Sequence, residues 1–210
     1  MRIADKLSLS RVFFAPVFVC LYLLFTKQNS FLGFVVLIVL LIFAELTDFF
    51  DGFVARKLKQ VSDLGKLLDP FSDAILQTSI FLCFTITGTM FPIFFLLIMY
   101  REFAMLFIRM LCIKNGVAIG ARFGGKIKTV LFITTCFFVL VMQAYQLSGW
   151  TFIPKISLFN IIKTVFFVMS VIASYVSFID YLIHFRAALA AVTAAGDHQS
   201  KKIIVVRDKS

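Results

Sequence analysis

The chain has 210 residues, of which 61% are apolar and 15% are charged, and its formal net charge is +10. Soluble domains are about 45–50% apolar and about 25% charged, and one soluble core of this size could not cover so much apolar surface. The composition therefore excludes a soluble globular domain and a disordered chain. It indicates an all-α integral membrane protein, so the positive charge points to membrane topology and not to nucleic acid.

Six apolar segments approach or exceed the roughly 20 residues that a membrane-spanning helix needs. They cover residues 8–26, 31–55, 66–88, 91–113, 127–147 and 157–183. The first follows basic residues, as in a signal peptide, but no small-residue cleavage site comes after it, so we expect a retained helix. We predict a domain of six transmembrane helices over residues 1–185. A basic cytoplasmic tail follows over residues 186–210, whose apolar run at 203–206 lies on the membrane or pairs as a short strand.

The lysines and arginines are unequally distributed along this arrangement. All of the 21 except Lys27, Lys155 and Lys163 fall on the side that contains both termini, or in the spans next to it. The positive-inside rule therefore predicts that both termini lie in the cytoplasm. We expect a multi-pass protein of the cell membrane whose basic face meets anionic lipids on the cytoplasmic side.

Four cysteines, Cys20, Cys83, Cys112 and Cys136, lie in apolar runs. None of them has the spacing of a disulfide framework or of a zinc site. We therefore expect all four to be small residues of the helix-packing core.

Carboxylates are concentrated near the second and third segments. Six of the 11 acidic residues lie between positions 45 and 73 in largely apolar sequence, where an ionised carboxylate is costly and indicates function. Asp48 and Asp51 are spaced i, i+3, and Asp69 and Asp73 are spaced i, i+4, so each pair shares one helix face. The short connection favours antiparallel packing of the two helices, which would bring the four carboxylates together near the cytoplasmic end.

Four neighbouring carboxylates require positive charge to remain ionised. Mg²⁺ and Mn²⁺ prefer oxygen ligands, and two such ions about 4 Å apart are suited to phosphoryl chemistry. Small residues at Gly52, Ala55 and Gly65 leave room for a ligand beside the acids. Simpler explanations are helix capping by Asp63 or Asp69 and close helix packing at the small residues, but they do not explain the i+3 and i+4 spacing of the acids.

Eight positions in this region form one extended motif. In order they are Asp48, Asp51, Gly52, Ala55, Arg56, Gly65, Asp69 and Asp73. Their identities and spacing resemble the complete signature of the CDP-alcohol phosphatidyltransferases. Residues 8–11 resemble the family's entry to its first helix, while residues 101–102 and 125–129 resemble its bacterial phosphatidylglycerophosphate synthase branch.

The resemblance implies an enzyme that transfers the phosphatidyl group of CDP-diacylglycerol to an alcohol and releases CMP. It implies that two Mg²⁺ or Mn²⁺ ions are held by four ligands, Asp48, Asp51, Asp69 and Asp73. It also implies that Asp73 is the general base on the acceptor hydroxyl and that the chain forms a homodimer. By the same resemblance, CDP-diacylglycerol is bound by residues of the first helix and the signature region, namely Asp5, Lys6, Gly52, Ala55, Arg56, Ser62 and Gly65.

A second group of charges indicates the acceptor. Arg101 and Arg109 lie within an apolar span, and intramembrane arginines usually face the bundle interior or a wet cavity. Arg122, Lys126 and Lys128 surround a glycine-rich helix start, which favours an anion. We predict that these five residues bind the phosphate of an acceptor such as sn-glycerol 3-phosphate, because they would repel a cationic alcohol.

Alternatives remain open for the acceptor and for the class of protein. Ala74 and Asp5 stand where that branch usually has Lys and Asn, so inositol phosphate, phosphatidylglycerol or another alcohol could be the acceptor. The basic residues could also serve only topology and lipid head groups. A transporter would place Asp and Arg within the membrane as well, but the sequence has no pair of related halves.

Overall fold

The structure, a computed structural model, describes residues 3–57, 63–114, 117–119, 123–149, 156–195 and 204–206, with side chains over 9–47, 68–112, 124–149 and 158–186. It contains six helices: α1 (Ile3–Lys27), α2 (Phe31–Lys57), α3 (Asp63–Ile86), α4 (Pro92–Lys114), α5 (Phe123–Leu147) and α6 (Ile156–Ala195). Each coincides with one of the predicted apolar segments, which confirms the helical fold class. The other elements in these ranges are two three-residue strands, β1 (Val117–Ile119) and β2 (Ile204–Val206).

Three helical segments among the described residues are long and apolar enough to cross a membrane. They are Leu9–Lys27, Gly124–Leu147 and Leu158–Arg186. The described apolar part of α2, Phe31–Thr47, is shorter, and α4 carries Arg101, Glu102 and Arg109 within its length. The protein is thus a multi-pass helical membrane protein, while the number of six spans and the cytoplasmic side of the termini remain predictions.

The turns that follow α1, α3 and α5 each contain a residue with a positive φ angle. Asn29, Gly88 and Gly149 have positive φ angles of 49°, 69° and 72°, a region that glycine and asparagine adopt most readily. Each follows the end of a helix, where a left-handed residue is a common terminator. At the start of α2, Ser30 Oγ accepts the backbone N–H of Gly33 at 3.1 Å, which is the hydrogen bond of an N-cap serine.

The six helices form a closed circuit of packed neighbours. In order around the bundle the neighbours are α1, α2, α5, α6, α4 and α3, which returns to α1. Phenylalanine and tyrosine rings fill the centre; Phe81 meets Phe132 edge-to-face with 5.1 Å between ring centroids, a favoured geometry for aromatic pairs. Over their described residues, α2 and α3 each pack on α1 and make no close backbone contacts with each other, so the predicted antiparallel packing of these two helices is not found there. The ends at which we predicted these two helices to meet carry no described side chains.

Three further sequence expectations differ from the structure. Cys20 is exposed, whereas the other three cysteines are buried. Cys20 lies on the outer face of α1, and a face that meets lipid is as apolar as one that packs in the core. The alternative in which Asp69 caps a helix is wrong, since α3 begins at Asp63 and continues through Pro70; its packing on α1 and α4 outweighs the hydrogen bond that the proline removes. Helix α6 has 40 residues and extends well past position 183, because its last turns are rich in alanine, a strong helix former.

The tail adopts one of its two expected arrangements. Strand β2 pairs in parallel with β1, with Val117 opposite Ile204 and Ile119 opposite Val206. In the sequence, strand β1 follows α4 and precedes α5. In the structure, it contacts α4 and α6. The tail is therefore attached to the end of the bundle at which α4 is connected to α5.

Candidate functional site

A cavity of about 420 Å³ lies between α3, α4, α5 and α6. Among the described residues, the charged side chains in its wall are Asp73, Arg101, Glu102, Arg109, Lys126 and Lys128. The structure thus brings the predicted general base into one space with four of the five predicted acceptor-phosphate residues. The fifth, Arg122, lies outside the described residues.

The predicted metal ligands are only partly visible. Asp48 and Asp51 belong to α2 and Asp69 and Asp73 to α3, but side chains are described only for the second pair. Within the described side chains, no three Asp, Glu, His or Cys residues come together. The donor set itself consists of carboxylates, which fits a hard divalent cation such as Mg²⁺ or Mn²⁺.

The predicted CDP-diacylglycerol residues lie outside the described side chains. Asp5 and Lys6 are in the first turns of α1. Gly52, Ala55 and Arg56 are in the last turns of α2, and Gly65 is in the first turn of α3. Ser62 falls in the undescribed connection between α2 and α3. This pocket remains a prediction.

The side chain of Asp73 is held by an arginine to which the sequence had given no role. Arg11 of α1 is only 5% exposed, and its Nη1 donates to Oδ1 of Asp73, which is 43% exposed. Helices α1 and α3 pack against each other, so this buried guanidinium reaches the carboxylate from inside the bundle. The sequence does not reveal this contact, because the partner on α3 is 62 residues away; Arg11 counts there only among the basic residues that predict topology.

A buried ion cluster forms the opposite wall of the cavity. Arg101, Glu102 and Lys128 are 4%, 6% and 9% exposed. Oε1 of Glu102 accepts hydrogen bonds from Arg101 Nη1 and from Lys128 Nζ, both at 2.8 Å. Arg101 also donates from Nε to the Ser174 carbonyl at 2.9 Å and from Nη2 to Ser177 Oγ at 3.3 Å. The sequence had singled out the two cations, but it gave no role to Glu102 or to the serines of α6.

The glycines at the start of α5 allow close helix packing beside this cluster. A Cβ atom added to Gly124 would lie 3.5 Å from Cα of Ser177, so the first turn of α5 approaches the backbone of α6. The first backbone N–H groups of a helix have no partner within the helix and carry partial positive charge. Gly125 and Lys126 of this turn line the cavity, which adds to its preference for anions.

Among the described side chains of the cavity wall, cations outnumber acids by four to two. A cleft lined mainly by one sign of charge concentrates ligands of the opposite sign. At the α3 wall, however, Asp73 offers a carboxylate that can accept a proton. The arrangement therefore suits a small molecule that carries both an anionic group and a hydroxyl.

Comparison with known proteins agrees with this chemistry. The family model of CDP-alcohol phosphatidyltransferase matches residues 1–176. A Treponema pallidum protein named CDP-diacylglycerol–glycerol-3-phosphate 3-phosphatidyltransferase is 35% identical over 159 residues, which cover 74% of this chain and 72% of the relative. An Aquifex aeolicus protein of the same name is 28% identical over 183 residues, or 86% of this chain and 94% of the relative.

Proposed function

The chain belongs to the CDP-alcohol phosphatidyltransferase family, and from this premise we propose that it transfers a phosphatidyl group from CDP-diacylglycerol to sn-glycerol 3-phosphate. The products are phosphatidylglycerophosphate and CMP. By its family and relatives, the chain is a CDP-diacylglycerol-dependent phosphatidyltransferase of phospholipid biosynthesis. The choice of acceptor follows the names of the relatives and is supported by the charges of the cavity.

The observation that carries the proposal is the presence of Asp73 in the same cavity as Arg101, Arg109 and Lys128. Glycerol 3-phosphate has a hydroxyl at one end and a phosphate at the other. The cations suit the phosphate, and the carboxylate suits the hydroxyl. The volume of about 420 Å³ is also within the usual range of small-molecule sites, about 300–1,000 Å³.

In the proposed reaction Asp73 accepts the proton of the acceptor hydroxyl. The hydroxyl oxygen then forms a bond to the phosphorus that carries the diacylglycerol, and the bond from that phosphorus to the CMP oxygen breaks. Attack and departure lie roughly in line, so positioning of the groups supplies much of the catalysis. Arg11 contributes by holding one oxygen of Asp73, which limits the directions that the carboxylate can take.

We propose that the four signature aspartates, Asp48, Asp51, Asp69 and Asp73, hold two Mg²⁺ or Mn²⁺ ions. Bound there, the ions would neutralise the pyrophosphate and stabilise the departing CMP. The spacing supports this assignment, because the two aspartates of each pair are about one helical turn apart on the same helix. The donor would be held by Asp5, Lys6, Gly52, Ala55, Arg56, Ser62 and Gly65, as the family resemblance implies.

The proposal includes the arrangement in the membrane. Six spans with both termini in the cytoplasm would place the active site at the cytoplasmic face of the inner membrane, in contact with anionic lipids. The distribution of lysine and arginine supports this orientation. A homodimer is proposed from the family resemblance alone.

The decisive assay follows CMP release by the purified protein with CDP-diacylglycerol and Mg²⁺ or Mn²⁺. The acceptors compared are glycerol 3-phosphate, inositol phosphate, phosphatidylglycerol, glycerol and choline. We expect the fastest release with glycerol 3-phosphate, and its loss after chelation of the metal. The absence of metal-dependent CMP release with every acceptor would contradict phosphatidyl transfer, and release only with uncharged or cationic alcohols would contradict the anionic acceptor.

A further inference from the structure

Glu102 occupies an unexpected place for a carboxylate in a site that should bind an anion. It lines the cavity, it is buried, and it would repel the phosphate that the surrounding cations attract. A buried acid is normally found where it has a specific set of partners. Its role therefore has to follow from what it contacts.

Both partners of Glu102 share one of its oxygens. Arg101 Nη1 and Lys128 Nζ each lie 2.8 Å from Oε1, so the two nitrogen atoms cannot be farther apart than twice that distance. Two cations so close in a buried setting would repel each other strongly without a negative charge between them. Glu102 thus fixes the separation of the two cations.

The same contact connects two helices of the cavity wall. Arg101 and Glu102 belong to α4, and Lys128 belongs to α5. In the part of the chain that the structure describes, α4 packs on α3, α6 and β1 but makes no close backbone contacts with α5. The carboxylate therefore joins α4 to α5 directly across the space between them.

Both cations keep donors for a ligand. The described contacts use three of the five N–H groups of Arg101, namely those to Glu102, the Ser174 carbonyl and Ser177. The described hydrogen bonds use one of the three N–H groups of Lys128. Both side chains line the cavity, so the remaining donors are available to one anion.

We propose that Glu102 is a positioning residue of the acceptor site, which holds Arg101 and Lys128 at the separation required to bind one phosphate group together. The identity of the acceptor rests on the proposed function, whereas the role of Glu102 requires only that the cavity binds a phosphate. The preorganised pair loses little freedom when the ligand binds, and preorganisation of this kind raises affinity.

The sign of a mutational effect separates this role from a simpler one. If Glu102 only neutralised its neighbours, Glu102→Gln would make the cavity more positive and would lower the KM for an anionic acceptor. If it positions them, the same variant releases the two cations and raises that KM. Glu102→Asp keeps the charge but is one methylene shorter, so it cannot span the same two contacts and should resemble Glu102→Gln.

The kinetic test compares the wild type with Glu102→Gln and Glu102→Asp by CMP release. We expect the acceptor KM to rise about 10-fold or more in both variants, with the CDP-diacylglycerol KM within about 2-fold of wild type. The midpoint of thermal unfolding should fall in Glu102→Gln, which leaves two buried cations without their carboxylate, so the kinetics are compared at a temperature at which every variant is folded. Asp180→Asn is the matched control, because it removes a carboxylate of α6 that does not line the cavity. A lower acceptor KM in Glu102→Gln, wild-type kinetics in Glu102→Asp, or equal changes in both KM values would overturn the proposal.

A binding test separates this proposal from the choice of acceptor. Inorganic phosphate is added to wild type and to Glu102→Gln without divalent metal, and the shift of the thermal midpoint is measured. We expect phosphate to stabilise the wild type and to leave the variant unshifted, even if turnover shows another acceptor and the proposed function is wrong. No shift in the wild type, or equal shifts in both proteins, would overturn the role of Glu102.

Discussion

Arg11 and Asp73 form an ion pair in which a buried guanidinium holds one oxygen of a half-exposed carboxylate. Arg11 comes from the first helix and Asp73 from the third, so the pair lies where these two helices pack. The other charged wall of the cavity is fixed by Glu102 between its two cations. The cavity is thus bordered on both sides by charges whose positions are set by partners on other helices.

Asp73→Asn should abolish turnover without unfolding the protein. Asparagine keeps the size of the side chain but cannot accept the hydroxyl proton, and loss of a general base reduces rates about 10²–10⁴-fold. The measurement is kcat for CMP release together with the midpoint of thermal unfolding. Asp180→Asn, which removes a carboxylate of α6 that does not line the cavity, should keep wild-type activity. A fully active Asp73→Asn enzyme would exclude Asp73 as the base.

Substitution of Arg11 should lower kcat more than it changes either KM, because Arg11 holds Asp73 but does not line the cavity. Arg11→Ala should also reduce the free energy of unfolding by roughly 1.5–3 kcal/mol, the range for hydrogen bonds to charged groups. The lower end is expected, because Asp73 is 43% exposed and solvent screens the pair.

Arg11→Lys provides the conservative comparison for this prediction. Lysine keeps the charge but lacks the planar fork of the guanidinium, so it should recover stability more fully than kcat. Lys27→Ala removes an exposed cation from the other end of α1 and should change neither quantity. Wild-type kcat in both Arg11 variants would show that the ion pair has no part in positioning Asp73.

The extent to which the site could be predicted depends on whether its partners are close in sequence. Arg101 and Lys128 stood out because charges in apolar helices need a reason. Glu102 is adjacent to Arg101, but neighbours in a helix point in different directions, so their contact through a shared oxygen is not visible in the sequence. The same holds for Arg11, whose partner is 62 residues away.

The helices were predicted more fully than their surfaces. Hydropathy locates apolar segments, but lipid and protein core are both apolar, so it could not distinguish the exposed Cys20 from the buried Cys83. It also could not extend α6 beyond position 183, because alanine favours a helix without marking a membrane span. At about 1.5 Å per residue, the 40 residues of α6 measure roughly 60 Å, about twice the hydrocarbon core.

Lys128→Ala should raise the acceptor KM about 10-fold or more, as expected for loss of a charged hydrogen bond, and should leave the donor KM nearly unchanged. Lys128 is buried against Glu102 and lies 4.7 Å from the centre of the Phe132 ring. Lys126→Ala provides a comparison in the same turn of helix, since its exposed charge is screened and should have a smaller effect. Equal effects on both substrates would argue against acceptor binding by Lys128.

Gly33→Ala should destabilise the fold although alanine normally favours helices. A Cβ atom at Gly33 would overlap the Phe25 ring and lie 2.7 Å from the Phe25 Cβ, which is anchored to the backbone of α1. Overpacking of this kind typically lowers the free energy of unfolding by about 1–3 kcal/mol. Gly125→Ala is the matched control for stability, because its Cβ would meet only Ser177 Oγ at 3.9 Å. An equal thermal midpoint for both variants would contradict the close approach of α1 and α2.

Removal of residues 196–210 should expose the backbone of β1 without unfolding the bundle. Strand β2 is lost in this variant, and a two-stranded sheet of three residues per strand is marginal in isolation. We therefore expect faster amide hydrogen exchange at Val117–Ile119 and little change in the midpoint of thermal unfolding. Val205→Pro in the full chain should reproduce the faster exchange, because proline lacks the N–H that a strand pair needs. Lys209→Ala, outside the strand, should not; unchanged protection of β1 in the truncated chain would contradict the pairing.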